Sequence, residues 1–129
     1  MISTSIKPGK WYSKKGSRLL IDIDSETGKI TGKYATSHGR PDKDTFFDVT
    51  GWANGEMVAF TCSWGKHRSV STWCGQLRTD ENGKEHLYVM WVLAREFANE
   101  EQTIKTSPTY LFHTNTGKFY HQDGTINDA

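Results

Sequence analysis

The stretch TFFDVTGWANGEMVAFTCSWGKHRSVSTWCGQLRT, residues 45–79, decides the fold class. It contains three extended segments, residues 45–53, 56–64 and 69–79. Only Asn54-Gly55 and residues 65–68 separate them. Asn and Gly tolerate the positive φ of a tight hairpin turn, and turns this short join antiparallel neighbours. The stretch therefore predicts a three-stranded antiparallel meander.

The same pattern continues on both sides of this meander. In residues 17–24, Leu19, Ile21 and Ile23 share one face, and Asn82-Gly83 marks a second tight hairpin. Further extended segments are residues 9–13, 29–37, 85–95 and 109–114. Eight short strands joined by local turns predict an all-β, up-and-down antiparallel β-barrel, a size that can hold one small ligand. Residues 96–105 are predicted to form a connection with a helical turn.

The length of 129 residues predicts one domain. We divide it into an N-terminal extension (residues 1–8), the barrel (9–115) and a C-terminal tail that frays (116–129). Sixteen basic and fifteen acidic residues give a net charge of +1, which disfavours nucleic acid and anionic membranes as partners. The apolar runs are too short to span a bilayer. We expect a soluble protein, secreted if a signal peptide has been removed and otherwise cytoplasmic.

The two cysteines, Cys62 and Cys74, are too few to form a metal site. They form either one disulfide or two separate thiols. Cys62 shares its strand parity with Trp64, whereas Cys74 has the opposite parity to Trp73. The two side chains are therefore expected on opposite faces of the sheet, which favours thiols.

Tryptophans lie at the centres of short strand motifs, namely Trp11, Trp64, Trp73 and Trp91. On the strands of a small barrel they would converge on one pocket with flat apolar walls, which suits a small and rigid ligand. We assign Trp11 mainly to packing at the closed end and Trp52 to the outer surface or an interface.

The order and spacing of these motifs resemble the avidins and streptavidins. The matching pieces are Gly9-Lys10-Trp11-Tyr12, Gly16-Ser17, Thr31-Gly32-Lys33-Tyr34-Ala35-Thr36, Ser63-Trp64, residues 69–76 and Met90-Trp91-Val92-Leu93. This resemblance implies a barrel that binds biotin without catalysing a reaction, with no cofactor beside the ligand.

The resemblance also implies roles for individual residues. Ser17 and Tyr34 correspond to donors on the ureido oxygen of biotin, and Thr36 to an acceptor from a ureido N–H. Trp64, Trp73, Trp91 and Leu93 correspond to the apolar walls. Ser71 corresponds to a hydroxyl beside the thioether sulfur, and Ser69 to one beside the valerate carboxylate.

Three positions depart from the family pattern. Ser13 stands where a carboxamide usually donates to the ureido oxygen, and Lys15 stands at a position that is often apolar. Pro108 falls where an Asp or Asn usually accepts from the second ureido N–H, and proline has no side-chain acceptor. Ser107 or Thr109 takes this role if the register differs by a residue or two. Each missing buried hydrogen bond costs about 1–3 kcal/mol.

The segment His38, Gly39 and Arg40 corresponds to a lid over the valerate end. Its basic side chains either pair with a ligand carboxylate or are solvated loop charges. The resemblance also implies a homo-oligomer. Because residues 99–106 contain no tryptophan to cap the ligand of a neighbouring subunit, we favour a dimer over a tetramer.

Two other functions remain open. An enzyme is disfavoured, because the histidines lack a nucleophile or paired carboxylates at a characteristic spacing. The stronger alternative is an avidin-like scaffold with weakened biotin binding that recognises another small carboxylate or a protein partner.

Overall fold

The chain folds into a closed β-barrel. The computed structural model describes residues 1–36, 45–96 and 112–122. Within these ranges, eight antiparallel strands each pair with the next along the sequence, and the first pairs with the last. The strands are β1 (Gly9–Tyr12), β2 (Arg18–Ile23), β3 (Lys29–Ala35), β4 (Phe47–Asn54), β5 (Met57–Ser63), β6 (Ser69–Thr79), β7 (Glu85–Arg95) and β8 (Phe112–His121). The predicted fold class is confirmed.

Short turns set the connectivity, as the sequence predicts. Gly55 has a φ of +56° in the turn between β4 and β5, a conformation that glycine adopts without steric cost. In the turn between β6 and β7, the Asp80 carboxylate accepts hydrogen bonds from the N–H groups of Asn82 and Lys84, each at 2.9 Å. Both hairpin predictions are confirmed. No helix in the described ranges is long and apolar enough to cross a membrane.

The last strand differs from the sequence prediction. In the described part of the chain it runs over Phe112–His121 and so continues past residue 114, where the sequence prediction ended it. Residues 116–121 therefore belong to the barrel wall and not to a fraying tail. Its end pairs with β1 through Trp11↔His121 and Tyr12↔Tyr120, and Phe119 is buried in the core. Barrel closure stabilises this polar segment, because pairing with β1 satisfies its backbone hydrogen bonds.

The core consists of side chains that point inward from every strand. Trp11, Leu19, Ile30, Phe60, Leu87 and Val89 are its largest fully buried side chains. Trp11 is therefore a packing residue, as predicted, whereas Trp52 is 57% exposed on the outer surface. Successive inward residues alternate with polar outward ones, as a half-buried strand requires.

Gly75 allows a close approach between strands β6 and β7. A Cβ atom added to Gly75 would lie 1.9 Å from the carbonyl oxygen of Tyr88. Only glycine fits where another backbone comes this near, and such positions permit the tight coiling that a small barrel needs.

The N-terminal segment covers one end of the barrel. The N–H of Ile2 donates to the Glu26 carbonyl at 3.1 Å, and the N–H of Ser5 donates to the Gly55 carbonyl at 2.9 Å. Ile6 is buried, and the Trp11 indole N–H donates to the Lys7 carbonyl at 2.9 Å. These contacts close the end that carries the β2–β3 and β4–β5 turns.

The cysteines are free thiols on opposite faces of the sheet. Cys62 is buried inside the barrel, and Cys74 is exposed on the outside. This confirms the parity argument against a disulfide.

Candidate functional site

A cavity of about 470 Å³ opens at the end of the barrel opposite the N-terminal segment. The β1–β2 turn, the β5–β6 turn and the end of β7 surround its mouth. This volume lies within the range of about 300–1,000 Å³ that is typical of small-molecule sites. A second depression on the outer surface of β1–β4 lacks aromatic walls.

The cavity brings together most of the residues predicted to form the site. They are Ser13, Ser17, Tyr34, Thr36, Trp64, Ser69, Ser71, Trp73, Trp91 and Leu93. The other predicted residues, His38, Gly39, Arg40 and Pro108, lie outside the described residues. The roles of all these residues toward a ligand are taken up below as proposals.

Strand register explains why these side chains meet. On β6, Ser71 and Trp73 have the same parity and point inward, where they are buried. Across the ladder, Ser71 pairs with Leu93 and Trp73 pairs with Trp91. The Ser71–Leu93 pair and the Trp73–Trp91 pair thus lie next to each other and form one continuous part of the cavity wall.

The aromatic wall is tightly packed around Trp73. Its ring stacks on Phe60 at a centroid distance of 4.9 Å and lies 4.6 Å from the Tyr34 ring. Trp64 meets both Trp73 and Tyr34 edge to face, at 6.3 and 5.8 Å. Offset and edge contacts of this kind stabilise ring orientation. The wall is therefore preformed for a flat ligand.

Tyr34 and Ser17 form a buried hydroxyl pair in the wall of the cavity. Burial raises the pKa of Tyr34 to about 12, although a hydrogen bond with Ser17 opposes this shift. Both hydroxyls can donate as well as accept, and a phenol with this raised pKa keeps its proton at physiological pH. Tyr34 is thus a neutral hydrogen-bond donor at physiological pH.

Ser13 is held in the β1–β2 turn by its own backbone and side chain. The Ser17 N–H donates to Ser13 Oγ at 3.0 Å, and the Ser13 N–H donates to the Ser17 carbonyl at 3.0 Å. The hydroxyl accepts in the first of these bonds, so its proton can still donate. The turn thus places a third hydroxyl beside Ser17, in the lining of the same cavity.

Ser71 fixes the orientation of Trp64. The indole N–H of Trp64 donates to Ser71 Oγ at 2.8 Å, and both residues are buried. A satisfied indole N–H removes the cost of burying that polar group. The Ser71 proton can still interact with a ligand.

Several cavity residues were not predicted from the sequence. Lys14, His67, Arg95 and four residues of β8 line the cavity in addition to Phe119. Arg95 continues the inward parity of Trp91 and Leu93, a signal that the sequence contained. On β8, Asn115 pairs with Trp91 and Gly117 pairs with Val89. The sequence analysis did not include these residues because it ended the last strand at residue 114.

Gly117 leaves space in the wall beside Trp91. An added Cβ would lie 3.8 Å from Trp91 Cδ1 and 4.0 Å from Trp91 Nε1, which is ordinary van der Waals contact. The side-chain oxygen of Asn115, Oδ1, already accepts a hydrogen bond from the Thr116 N–H at 2.8 Å, which limits its use as an acceptor for a ligand. The described part of β8 thus presents little acceptor capacity beside Trp91.

The chemistry of the site suits binding. Among the described residues, no group of three or more His, Cys, Asp or Glu side chains could hold a metal ion. The cavity walls combine tryptophan faces with hydroxyl donors, an arrangement that orients a ligand and removes it from water.

A family model described as the avidin family matches residues 3–115. The chain belongs to the avidin family. Avidin-related protein 4/5 of Gallus gallus is 33% identical over 90 residues, covering 66% of this chain and 60% of that protein. The chain therefore spans about 60% of the length of the curated avidin relatives it matches.

Two solved structures extend this similarity to three dimensions. Xenavidin has a TM-score of 0.74 and 26% identity, covering 92% of this chain and 99% of that chain. A biotin binding protein from chicken has a TM-score of 0.68 and 26% identity, covering 87% of this chain and 92% of that chain. The eight-stranded barrel is thus a fold that this chain shares with both structures.

Proposed function

We propose that this member of the avidin family binds biotin in the barrel cavity and catalyses no reaction. The observation that carries the proposal is that three tryptophan walls and the hydroxyls of Ser17 and Tyr34 converge in one cavity of about 470 Å³. The avidin family model and the similarity to a biotin binding protein from chicken support it.

In this proposal, the ureido ring enters first. Tyr34, Ser17 and Ser13 donate to the ureido oxygen, since each hydroxyl can rotate to direct its proton at the ligand. Several fixed donors on one carbonyl oxygen polarise it, and the dry cavity strengthens each bond. Thr36 accepts from a ureido N–H.

The rest of the ligand follows the wall toward the mouth. Trp64, Trp73, Trp91 and Leu93 cover the apolar rings, and Ser71 contacts the thioether sulfur. Ser69 meets the valerate carboxylate. Burial of apolar area contributes about 25 cal/mol per Å² removed from water, so these walls supply much of the affinity.

The lid over the valerate end and the acceptor for the second ureido N–H stay predictions from the resemblance. We propose that His38, Gly39 and Arg40 cover the valerate end. Pro108 offers no acceptor to the second ureido N–H. The loss of this bond lowers affinity by about 10- to 100-fold relative to a fully bonded site. Ser13 still donates, but it is shorter than the carboxamide it replaces, which weakens its bond.

The alternative is a related scaffold that recognises a different small carboxylate or a protein partner. The presence of basic residues and the absence of acidic ones among the described cavity-lining residues favours a carboxylate in either case. Competition separates the two functions. If an unrelated carboxylate at equal concentration displaced biotin, biotin would not be the preferred ligand.

Calorimetric titration with biotin tests the proposal directly. We expect one site per chain with submicromolar affinity and a higher melting temperature in the presence of biotin, because a ligand that binds only the folded state stabilises it. Absence of both heat and a melting shift would remove biotin as the ligand. Turnover of biotin esters or amides would contradict the non-catalytic part of the proposal.

We also propose that the protein is a homo-oligomer, with a dimer favoured. Exposed apolar side chains follow the outer face of β6, β7 and β8. Val70 pairs with Ala94, which pairs with Phe112, and Met90 lies farther along β7. Val70, Met90 and Phe112 are each at least half exposed. A contiguous patch of this kind is typical of a subunit interface.

A further inference from the structure

The wall of the cavity is interrupted between β1 and β8. In the described part of the chain, β1 pairs with β8 only at its last two residues, Trp11 and Tyr12. After Tyr12 the chain turns back, and the Ser13 N–H donates to the Ser17 carbonyl instead of to β8. Residues 112–119 of β8 therefore pair with β7 along one edge and with no described strand along the other.

The cavity reaches this unpaired edge. Successive side chains of a strand point to opposite faces, so a closed wall would present only every second residue of β8 to the interior. Asn115, Thr116, Gly117, Lys118 and Phe119 nevertheless all line the cavity. Thr116 and Lys118, whose parity is outward, are exposed to solvent. In addition to its mouth, the cavity thus has a lateral opening, which is bordered by the β1–β2 turn and by residues 115–118 of β8.

The lateral opening lies beside the end of the cavity that is proposed to hold the ureido ring. The β1–β2 turn on one side of it carries Ser13 and leads to Ser17, two of the proposed donors to the ureido oxygen. The two ureido nitrogens of biotin lie on opposite sides of this oxygen. Thr36, the proposed partner of one nitrogen, follows β3, whereas β8 lies on the other side of the β1–β2 pair. In the proposed orientation, the second ureido nitrogen therefore faces the lateral opening.

The described residues at the opening offer the second ureido N–H little acceptor capacity and leave space beside it. Gly117 has no side chain, and the nearest atom to an added Cβ, apart from its chain neighbours, would be Trp91 Cδ1 at 3.8 Å. Phe119 has no acceptor, and Asn115 Oδ1 already accepts from the Thr116 N–H. A buried donor without an acceptor costs free energy, and replacing its hydrogen by a carbon substituent removes that cost.

We propose that the site accepts biotin derivatives that carry an acyl group on the ureido nitrogen facing β8. This inference rests on the proposed function. The substituent passes through the lateral opening toward solvent, while the ureido oxygen keeps its donors and the rings keep their tryptophan contacts. An acyl group on the other nitrogen removes the bond to Thr36 and meets the wall of β2 and β3, which pair without interruption from Arg18 to Ile23.

Calorimetric titrations with biotin and its two N-methoxycarbonyl isomers test the inference. The isomers carry the same neutral group, one on each ureido nitrogen. We expect the wild-type protein to bind one isomer within about 10-fold of biotin and the other about 100-fold more weakly, because only the second loses a buried hydrogen bond and meets a closed wall. A crystal structure with the tighter isomer should place its methoxycarbonyl group between the β1–β2 turn and Gly117.

Variants of Gly117 test the path of the substituent. Gly117→Val narrows the lateral opening, and we expect it to weaken the tighter isomer about 10-fold more than it weakens biotin. Gly117→Ala should have a smaller effect in the same direction. Thr114→Val is the matched control, because Thr114 lies on the outer face of β8 and does not line the cavity. The control should leave the ratio of the two affinities unchanged.

The outcomes separate this inference from the proposed function. Equal affinity for the two isomers, with biotin bound, overturns the inference and leaves biotin binding intact. An equal loss of biotin and the tighter isomer in Gly117→Val shows that the substituent does not pass Gly117 and also overturns it. If the wild-type protein does not bind biotin, the proposed function fails together with the inference. The isomer comparison needs no variant, so poor folding of Gly117→Val does not prevent the test.

Discussion

Tyr34 combines burial with a hydrogen-bonding hydroxyl in the centre of the candidate site. Its ring contacts Trp64, Trp73 and Phe119, and its oxygen interacts with Ser17. Desolvation keeps the phenol protonated, with a pKa of about 12. A neutral donor of this kind holds a ligand oxygen without introducing a charge into the apolar cavity.

The raised pKa of Tyr34 predicts a loss of stability at high pH. The folded pKa of about 12 exceeds the ordinary value of 10.0. The protonated phenol therefore stabilises the fold fully below pH 10, and this contribution is lost as the pH rises toward 12. A difference of two units corresponds to about 3 kcal/mol.

Denaturant unfolding of the wild-type protein and Tyr34→Phe between pH 8 and pH 11.5 measures this effect. The free energy of unfolding should decline less steeply for Tyr34→Phe, which has no phenol to ionise. Burial and the nearby Asp48 charge also raise the pKa of the Cys62 thiol, to about 11, and this group titrates in both proteins. Parallel curves for the two proteins would contradict the role of Tyr34.

The space at Gly117 predicts a gain of affinity. In Gly117→Asp, a carboxylate beside Trp91 would supply the acceptor that the described part of β8 does not offer. We expect biotin to bind about 10-fold more tightly by titration, the effect of one added hydrogen bond. Thr114→Asp, on the outer face of β8, adds the same charge and should leave affinity unchanged. Unchanged or weaker binding by Gly117→Asp would place the ureido ring elsewhere.

Residues on predicted strands were found from the sequence because their side-chain direction follows from parity. Ser71, Trp73, Trp91 and Leu93 are examples, since a period of two fixes which side chains share a face. Lys14 and His67 were missed because they lie in turns, where no period applies. Arg95 continues the inward parity of Trp91 and Leu93. It was missed because a charged side chain is not expected to point inward beside apolar residues.

At the scale of elements, the turns were predictable and the last strand was not. The turn at Gly55 is a local feature, since two residues determine its geometry. The C-terminal end of β8 depends on pairing with β1, more than one hundred residues earlier in the chain. Its Asn and Gly residues are typical of loops, so local composition opposed the correct prediction.

Close contact between β6 and β7 predicts that Gly75→Ala is destabilising. The added methyl would collide with the Tyr88 carbonyl, and the strands would have to separate. We expect a loss of about 1–3 kcal/mol in unfolding free energy, measured by denaturant titration. Gly117→Ala is the control, because its methyl meets only ordinary contacts and alanine restricts the unfolded chain. Equal stability of the two variants would rule out the steric argument.

At the scale of the whole molecule, the apolar outer face of β6–β8 predicts how copies associate. In Met90→Lys, a charge on this face should dissociate the proposed dimer, since it would be buried without a partner. Light scattering after size exclusion should show a mass that falls from about twice 14.7 kDa toward the mass of one chain.

Met57→Lys is the matched control for this prediction. Met57 is similarly exposed but lies beside the β4–β5 turn, away from the β6–β8 face. We expect this variant to remain a dimer. Dissociation by Met57→Lys but not by Met90→Lys would move the interface to another part of the barrel.

The position of the N-terminal segment determines how the protein can be fused or immobilised without blocking the cavity. Hydrogen bonds join it to Glu26 and Gly55 at the closed end, so a fusion partner or solid support linked ahead of Met1 points away from the cavity mouth. Amine-reactive coupling would also modify Lys14 and Lys15 at the mouth, along with the other exposed lysines. Immobilisation through the N-terminus therefore leaves the cavity open to solution, whereas random lysine coupling obstructs it.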